Sequence, residues 1–560
     1  MKNVSNPILR IEGLTVDFLS DGAPVRAVDN VSFHVDRGET LVILGESGSG
    51  KSVSTSTVMD LIDCPPGDIV AGSCLFDGTE LSRLDAEARR RINGRRIAMI
   101  FQDPLAYLNP VYSVGRQIEE VFESHGAGSG KEVRAQVTDL LRRVGIPDPE
   151  RRVDDYPHQF SGGQRQRIMI AMAIALKPDI LIADEPTTAL DVSVQAQILD
   201  LLRDLQRETG MALIMITHDL EVAASMADRI IVMNAGKLVE AGQGREVLTN
   251  PRHAYTRRLI SALPHGDAAE TSSRRATSIG CETLLRVEHL TKDYVLASGA
   301  FAGKRTFRAV DDVSFEVKKG ETLGIVGESG SGKSSVARML LRLNEPSSGK
   351  AIYAGENIFE MSGMGLMAFR RKVQMVFQDP FGSMNPRMNV CSIISEPWVI
   401  HRDILPKHHW KDRVAELLEL VGLKPEHAER YPHQFSGGQR QRIAIARALA
   451  SEPQLIVCDE AVSALDVSIQ AQVIDLLADL RTRLGLSYVF ITHDLPIVRH
   501  FADRILVMKQ GKIVEEGDTE TMFKAPRHEY TQSLLKAVPK PKWLARDEEK
   551  CVRFSARIPR

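Results

Sequence analysis

Two textures of apolar residue alternate along the chain. Short unbroken runs, Thr40-Leu-Val-Ile-Leu44 and Ile180-Leu-Ile-Ala183 among them, leave no polar face and predict parallel strands covered on both sides. Between such runs the apolar residues spread to helical spacing, as at Ile198, Leu201, Leu202 and Leu205, which predict the buried face of a helix. Ala212 to Ile216 and Tyr488 to Ile491 read as further strands. Strand and helix alternating in this way predict an α/β fold with a mostly parallel sheet. The most apolar run, Ile168 to Leu176, is closed off by Arg167 and Lys177. It falls well short of the ~20 residues that a bilayer span requires, so it reads as a buried helix. Met1 to Leu14 lacks the apolar core of a secretion signal, and the chain is expected not to cross a membrane.

The whole plan is written twice. Tyr156-Pro-His-Gln-Phe-Ser-Gly-Gly-Gln-Arg-Gln-Arg-Ile168 returns unchanged as Tyr431 to Ile443, and the same displacement carries Asp184 to Asp459 and His218 to His493. Gly45 to Ser52 returns as Gly327 to Ser334 at a slightly larger displacement, so the first copy is shorter before that segment and longer after it. A period this long is a duplicated domain, since solenoid units run ~20–50 residues. The expected organisation is a domain over 7–265, a linker over 266–283, a second domain over 284–540 and an extension over 541–560. Gly266 to Cys281 is small and polar with no apolar period, as a solvated linker requires.

Composition agrees with two domains. At 560 residues the chain exceeds the ~250–300 at which single cores stop growing. Hydrophobic residues at 43% and charged residues at 26% describe a globular chain rather than a disordered one. Lys and Arg number 71 against 73 Asp and Glu, which removes the electrostatic case for a nucleic-acid binder, and no nucleic-acid partner is expected. The cysteines Cys64, Cys74, Cys281, Cys391, Cys458 and Cys551 contain no Cys-x-x-Cys pair, so neither a disulfide framework nor a zinc site is expected, and a reducing cytoplasm fits. Cys458, just before Asp459, reads as a small buried hydrophobe.

The candidate chemistry sits at strand ends. Gly45, Glu46, Ser47, Gly48, Ser49, Gly50, Lys51 and Ser52 fit the phosphate-loop pattern G-x-x-x-x-G-K-[ST], between an apolar strand and a helix-compatible stretch. Gly327, Glu328, Ser329, Gly330, Ser331, Gly332, Lys333 and Ser334 repeat it in the same context. Glycines let the backbone turn its N–H groups toward phosphate oxygens, and the following helix adds its positive end. Lys51 and Lys333 should reach the β and γ phosphates, while Ser52 and Ser334 should offer a hydroxyl to Mg²⁺. One such pattern alone could be a ligand-free glycine turn; two in matching contexts are not. Asp184-Glu185 and Asp459-Glu460 place carboxylate pairs at the ends of apolar strands, where charge is costly unless a cation or a water needs it. The Asp can hold a Mg²⁺ shell and the Glu can polarise a water; the plain alternative is a polar strand terminus. His218 and His493 follow further strands in Thr-His-Asp, where a histidine could sense a γ-phosphate or simply end the strand, and their recurrence favours the first reading.

Ser161, Gly162, Gly163 and Gln164, with Ser436, Gly437, Gly438 and Gln439, match the signature motif of the ABC ATPase family. Gln102 and Gln378 in Phe-Gln-Asp-Pro, and Ala-Leu-Asp at 189–191 and 464–466, accompany them. The chain resembles this family over nearly its whole length. The resemblance implies two P-loop NTPase domains in tandem, each with a mostly parallel sheet core, an antiparallel β subdomain and a helical signature subdomain. It also implies two active ATP sites that need Mg²⁺, each between the phosphate loop of one half and the signature of the other. One would combine Lys51, Gln102, Asp184, Glu185 and His218 with Ser436 and Gly438; the other Lys333, Gln378, Asp459, Glu460 and His493 with Ser161 and Gly163. By the same resemblance Glu185 and Glu460 are general bases, and Gln102 and Gln378 contact the metal and relay nucleotide state. A helix beginning near Gln164 would aim its dipole at a phosphate. Phe18 and Tyr294 occupy the place of the adenine-stacking aromatic, or are ordinary core aromatics. Ala461-Val462-Ser463 replaces Pro186-Thr187-Thr188, which predicts a less rigid loop after Glu460 and puts equal hydrolysis rates, though not the chemistry, in question.

Tyr-Pro-His-Gln-Phe before each signature, and the tails Arg252 to Pro264 and Arg527 to Pro539, resemble the oligopeptide/dipeptide/nickel importer branch, in which fused versions serve peptide and glutathione uptake. That resemblance implies two integral-membrane permease subunits as partners, a periplasmic or extracellular solute-binding protein acting through them, and a peripheral position on the cytoplasmic face of the inner membrane. Cys281 and Cys551 each stand alone, so the iron–sulfur cluster of some relatives is not expected. A soluble twin ATPase acting on ribosomes is the alternative from another class, disfavoured by the short, lightly charged linker. A DNA-repair ATPase is disfavoured by the lack of zinc-binding cysteines, and nickel or another solute remains an alternative cargo.

Overall fold

A computed structural model describes residues 7–20, 23–188, 190–261, 282–296, 305–463 and 465–538. The chain forms two compact units, the first built mainly from residues before 262 and the second mainly from residues after 281. Ala189, Ala464, Cys281, Cys551 and the extension expected at 541–560 lie outside the described residues; of the linker expected at 266–283 only Glu282 and Thr283 are described, and Thr283 opens a strand.

In the first unit six strands form the core sheet, in the order Lys237–Gln243, Arg229–Asn234, Thr40–Leu44, Ala212–Thr217, Ile180–Asp184 and Ile97–Ile100. Only the outermost pair, Lys237–Gln243 with Arg229–Asn234, runs antiparallel. Thr40–Leu44 and Ile180–Asp184 are buried at every position, as strands covered on both faces must be. A second, antiparallel sheet joins Ala23–Val35, Leu9–Ser20, Gly67–Phe76 and Thr79–Glu80. Its alternation is visible at Val31, Phe33 and Val35, which turn inward to meet Leu41, Ile43, Ile182 and Ile214 of the core sheet. Helices Val114–Ser124, Lys131–Arg143 and Gly162–Ile174 make the helical layer, and the last contains most of the apolar run Ile168 to Leu176, almost all of it buried.

The second unit repeats this order with Lys512–Asp518, Arg504–Lys509, Thr322–Val326, Ser487–Ile491, Leu455–Asp459 and Val373–Val376, and an antiparallel sheet of Arg305–Lys318, Thr283–Leu296, Ser348–Tyr353 and Glu356–Asn357. Cys458 is fully buried in its strand, in line with its reading as a small hydrophobe. Two details differ from the sequence reading. Helix Val192–Thr209 buries Ile198, Leu199, Leu202 and Leu205, while Leu201 is only partly covered, so the core stripe is rotated toward Leu199. The signature helix begins at Gly162, not near Gln164, because Ser161 is its N-cap.

Candidate functional site

In each unit the chemistry gathers at the carboxyl ends of three adjacent parallel strands, the usual ligand edge of an open α/β sheet. Thr40–Leu44 runs into the phosphate loop, which ends at Gly50 with φ 92° before helix Lys51–Val58. A Cβ at Gly50 would lie 2.5 Å from the Ala27 carbonyl oxygen, so only glycine fits this corner. No acidic residue occupies the first turn of the helix, which keeps its positive end available to an anion. Lys51 is 5% exposed and its Nζ donates to the carbonyls of Gly45 and Glu46, both at 2.8 Å. Lys333 does the same with Gly327 at 2.7 Å and Glu328 at 2.9 Å, and burial pushes its ammonium below the ordinary lysine value. The hydroxyls of Ser49 and Ser331 are buried in the loops and have no hydrogen-bond partner among the described residues. A glycine-cornered loop with a buried lysine and an unsatisfied hydroxyl suits a phosphate chain.

Next to the loop, Ser52 Oγ donates to Asp184 Oδ1 at 3.0 Å, and Ser334 to Asp459 at the same distance. That separation is close to the ~2.9 Å edge of an octahedron with bonds of 2.0–2.1 Å, so both oxygens fit one Mg²⁺ shell. Burial pushes the Asp184 and Asp459 carboxyls up, the serine hydrogen bonds opposing it. The neighbouring glutamates are held otherwise. Glu185 Oε1 meets His218 Nδ1 at 3.0 Å, and its Oε2 accepts from Gln102 Nε2 at 2.7 Å and from the Thr188 hydroxyl at 2.9 Å. Burial drives Glu185 up, but His218, Thr188 and Lys51 together bring it below the ordinary glutamate value. Glu460 has His493 at 3.3 Å and Gln378 at 2.7 Å; the His493 hydrogen bond outweighs burial and lowers it too. Both glutamates take a left-handed backbone, φ 45° and 48°, an uncommon conformation for a residue other than glycine.

Three bonded groups therefore lie along the strand ends, Lys51 on the carbonyls of its own loop, Ser52 with Asp184, and Gln102 and His218 with Glu185, and Lys333, Ser334 with Asp459, and Gln378 and His493 with Glu460 repeat them. The signature residues stand on another element. Ser161 Oγ accepts from the Gln164 N–H at 3.3 Å and Gln164 Oε1 accepts from the Ser161 N–H at 3.2 Å, a reciprocal capping box that Ser436 and Gln439 repeat. Gly162 and Gly437 are exposed at the first helical position. Gly163 and Gly438 admit no side chain, since a Cβ would meet Val194 at 2.4 Å and Ile469 at 2.3 Å. Phe18 and Tyr294 are partly buried on the antiparallel sheets, and the Tyr294 hydroxyl accepts from Asn344 at 3.1 Å.

Three features escaped the sequence reading. Thr188 bonds the glutamate of the first half, whereas Ser463, in the same place, donates to the Glu460 carbonyl at 3.0 Å. Tyr255 and Tyr530, in the two tails, bond the phosphate loops; their recurrence at the common displacement was the available signal. Beside Gln378 lies a groove of about 880 Å³ bordered by Leu343, Phe377, Pro397, Ile400 and Arg447, with Leu343 and Ile400 more than half exposed. No described helix is long and apolar enough to cross a membrane.

The ABC transporter family matches residues 28–188 and 310–463, and the family described as oligopeptide/dipeptide transporter, C-terminal region, matches 239–283 and 514–551. The glutathione import ATP-binding protein GsiA of Shigella boydii serotype 4 is 46% identical over 558 residues, covering 95% of this chain and 89% of its own. The peptidoglycan transport ATP-binding protein YejF of Agrobacterium fabrum is 45% identical over 536 residues, covering 95% of this chain and 96% of its own. Among solved structures, the dimeric ATP-binding cassette MJ0796 in a post-hydrolysis state with ADP and Pi is 30% identical, covers 42% of this chain and 98% of its own, and has a TM-score of 0.38.

Proposed function

The chain belongs to the ABC transporter family, and from that premise we propose that it powers the import of small peptides, glutathione among them, by hydrolysing ATP at two sites. It carries two ATP-binding cassettes of this family, and ATP hydrolysis coupled to transport is its reaction. The repeated cluster of lysine, serine, aspartate, glutamate, glutamine and histidine at each strand edge carries the reading.

Lys51 and Lys333 neutralise the phosphates of ATP, and the loop amides position them. Ser52 with Asp184, and Ser334 with Asp459, would hold Mg²⁺, which supplies charge neutralisation between the β and γ phosphates. Gln102 and Gln378 donate their amide N–H to the glutamates, so any metal contact would use the amide oxygen. Glu185 and Glu460 take the proton of the attacking water, their position fixed by histidine and glutamine. Phe18 and Tyr294 stack on the base, and Ser161 to Gln164 and Ser436 to Gln439 offer helix-terminal N–H groups to a phosphate. The exposed apolar border of the groove beside Gln378 supports docking of permease subunits, which would hold the chain at the cytoplasmic face of the inner membrane. A solute-binding protein would deliver the peptide to those subunits. The match of both tails to the oligopeptide/dipeptide region weighs for this reading over a twin ATPase working on ribosomes.

The test is Glu185→Gln with Glu460→Gln. The double variant is expected to bind ATP as the parent does and to lose ~10²-fold or more in turnover, the scale of a general base. Unchanged steady-state hydrolysis would reject the base assignment.

A further inference from the structure

Each tail enters its helix under control of one carboxylate. Glu240 accepts from the N–H groups of Arg252 at 2.7 Å and His253 at 3.0 Å; Glu515 accepts from Arg527 at 2.8 Å and His528 at 3.1 Å. The histidine then caps the helix, its Nδ1 accepting from the N–H of Tyr255 or Tyr530. This fixed entry turns the tyrosine inward, so that Tyr255 is 4% and Tyr530 6% exposed. Each hydroxyl ends on the phosphate loop: Tyr255 accepts from the Glu46 N–H at 3.2 Å, and Tyr530 from the Glu328 N–H at 3.1 Å. The carbonyl of the same residue takes Lys51 or Lys333. The second loop residue is thus gripped on both sides, by the tail and by the phosphate-binding lysine.

A buried tyrosine with a satisfied hydroxyl is often no more than a core aromatic. Here Ala254 becomes Glu529, Arg257 becomes Gln532 and Arg258 becomes Ser533, while Arg-His before the tyrosine, Thr after it, the tyrosine itself and its loop partner stay. We propose that Tyr255 and Tyr530 are positioning residues that couple each importer tail to the phosphate loop of its own half, so that tail docking and ATP binding favour one another. The proposal rests on the ATP-binding reading of those loops. A glycine-rich loop held in its binding form by the hydroxyl is partly preorganised, and losing the bond lowers the competent fraction and with it the apparent affinity. Linkage makes the effect reciprocal: bound ATP must steady the tail by the factor with which the tail strengthens ATP binding.

The experiment uses the full chain with Tyr255→Phe and Tyr530→Phe together, which removes two hydroxyls and keeps the ring packing. ATP affinity is read with a fluorescent ATP analogue, and hydrolysis by KM and kcat. A bond of this kind predicts affinity about twofold to tenfold weaker, with the loss in KM rather than kcat. Hydrogen exchange over 254–261 and 529–537 should slow when ATP is added to the parent chain and not in the variant. Parental affinity in the variant, or exchange at the tails indifferent to ATP in the parent, overturns the coupling. A lower melting temperature with affinity kept makes the tyrosines packing residues and also overturns it. Failure of the parent chain itself to bind the analogue would instead count against the ATP reading.

Discussion

At the scale of single residues the two glutamate carboxylates are held alike, by histidine and glutamine, except at one hydroxyl. The sequence suggested that the change from Pro186 to Ala461 would loosen the loop after the glutamate. Glu185 and Glu460 themselves have the same backbone, φ 45° and 48°, with proline after one and alanine after the other, so the proline is not what sets that angle. The difference lies two residues on, where Thr188 donates to the Glu185 carboxylate and Ser463 turns to a backbone carbonyl. With the second site silenced by Glu460→Gln, Thr188→Val is expected to lower kcat about fivefold at unchanged KM for ATP, the worth of one orienting hydrogen bond. Thr188→Ser should restore it. In the reciprocal Glu185→Gln background Ser463→Ala should leave turnover within about twofold. Lysine, aspartate, glutamate and histidine were legible beforehand because the phosphate-loop pattern, the apolar strands before the carboxylates and the recurrence of each in both copies mark them. Thr188 was not, because the direction of a hydroxyl depends on the turn that follows the glutamate.

At the scale of elements the copies reach one junction by two chemistries. Helix Val467–Leu484 meets the start of strand Thr322–Val326 through Arg481, which donates to the Gly320 carbonyl at 2.8 Å and pairs with Asp503 at 2.9 Å, both side chains nearly buried. In the first copy neutral Gln206 donates to the Gly38 carbonyl at 3.1 Å and accepts from Thr40 at 3.0 Å, beside the corresponding Asp228. Breaking a buried pair strands a charge, so Arg481→Ala should destabilise the second unit by about 3–5 kcal/mol. Arg481→Gln should cost less than half of that, because the first copy shows that glutamine can span the gap. Denaturant unfolding, followed with a probe in the second unit, distinguishes the two. The helices and strands themselves were readable, but their facing was less so. Periodicity located the stripe around Ile198 and Leu202 without its centre, which the packed neighbours move toward Leu199. The helix start at Gly162 follows from the Ser161–Gln164 capping box, a pattern present in the sequence that a phosphate-centred reading passed over.

At the scale of the whole molecule, the duplication lets paired substitutions test whether a site draws its signature from its own half or from the other. Gly162 and Gly437 are exposed and have room for a side chain, the nearest atoms to an added Cβ being Leu190 at 3.8 Å and Leu465 at 3.4 Å. Aspartate there should leave the helix intact, since an N-terminal acid suits its dipole, while repelling a γ-phosphate. If each site draws its signature from the other half, Lys333→Ala with Gly162→Asp spoils one site only and retains hydrolysis. Lys333→Ala with Gly437→Asp spoils both and should fall to background; the opposite ranking would mean that each half completes its own site. Duplication also doubles a tension at the two left-handed glutamates. A side chain other than glycine or asparagine is disfavoured at such a φ by about 1 kcal/mol or more, and the fold keeps glutamate at both corners. Selecting this chain for heat resistance would therefore press on the very positions that perform the reaction, and the hardiest descendants would include inert ones.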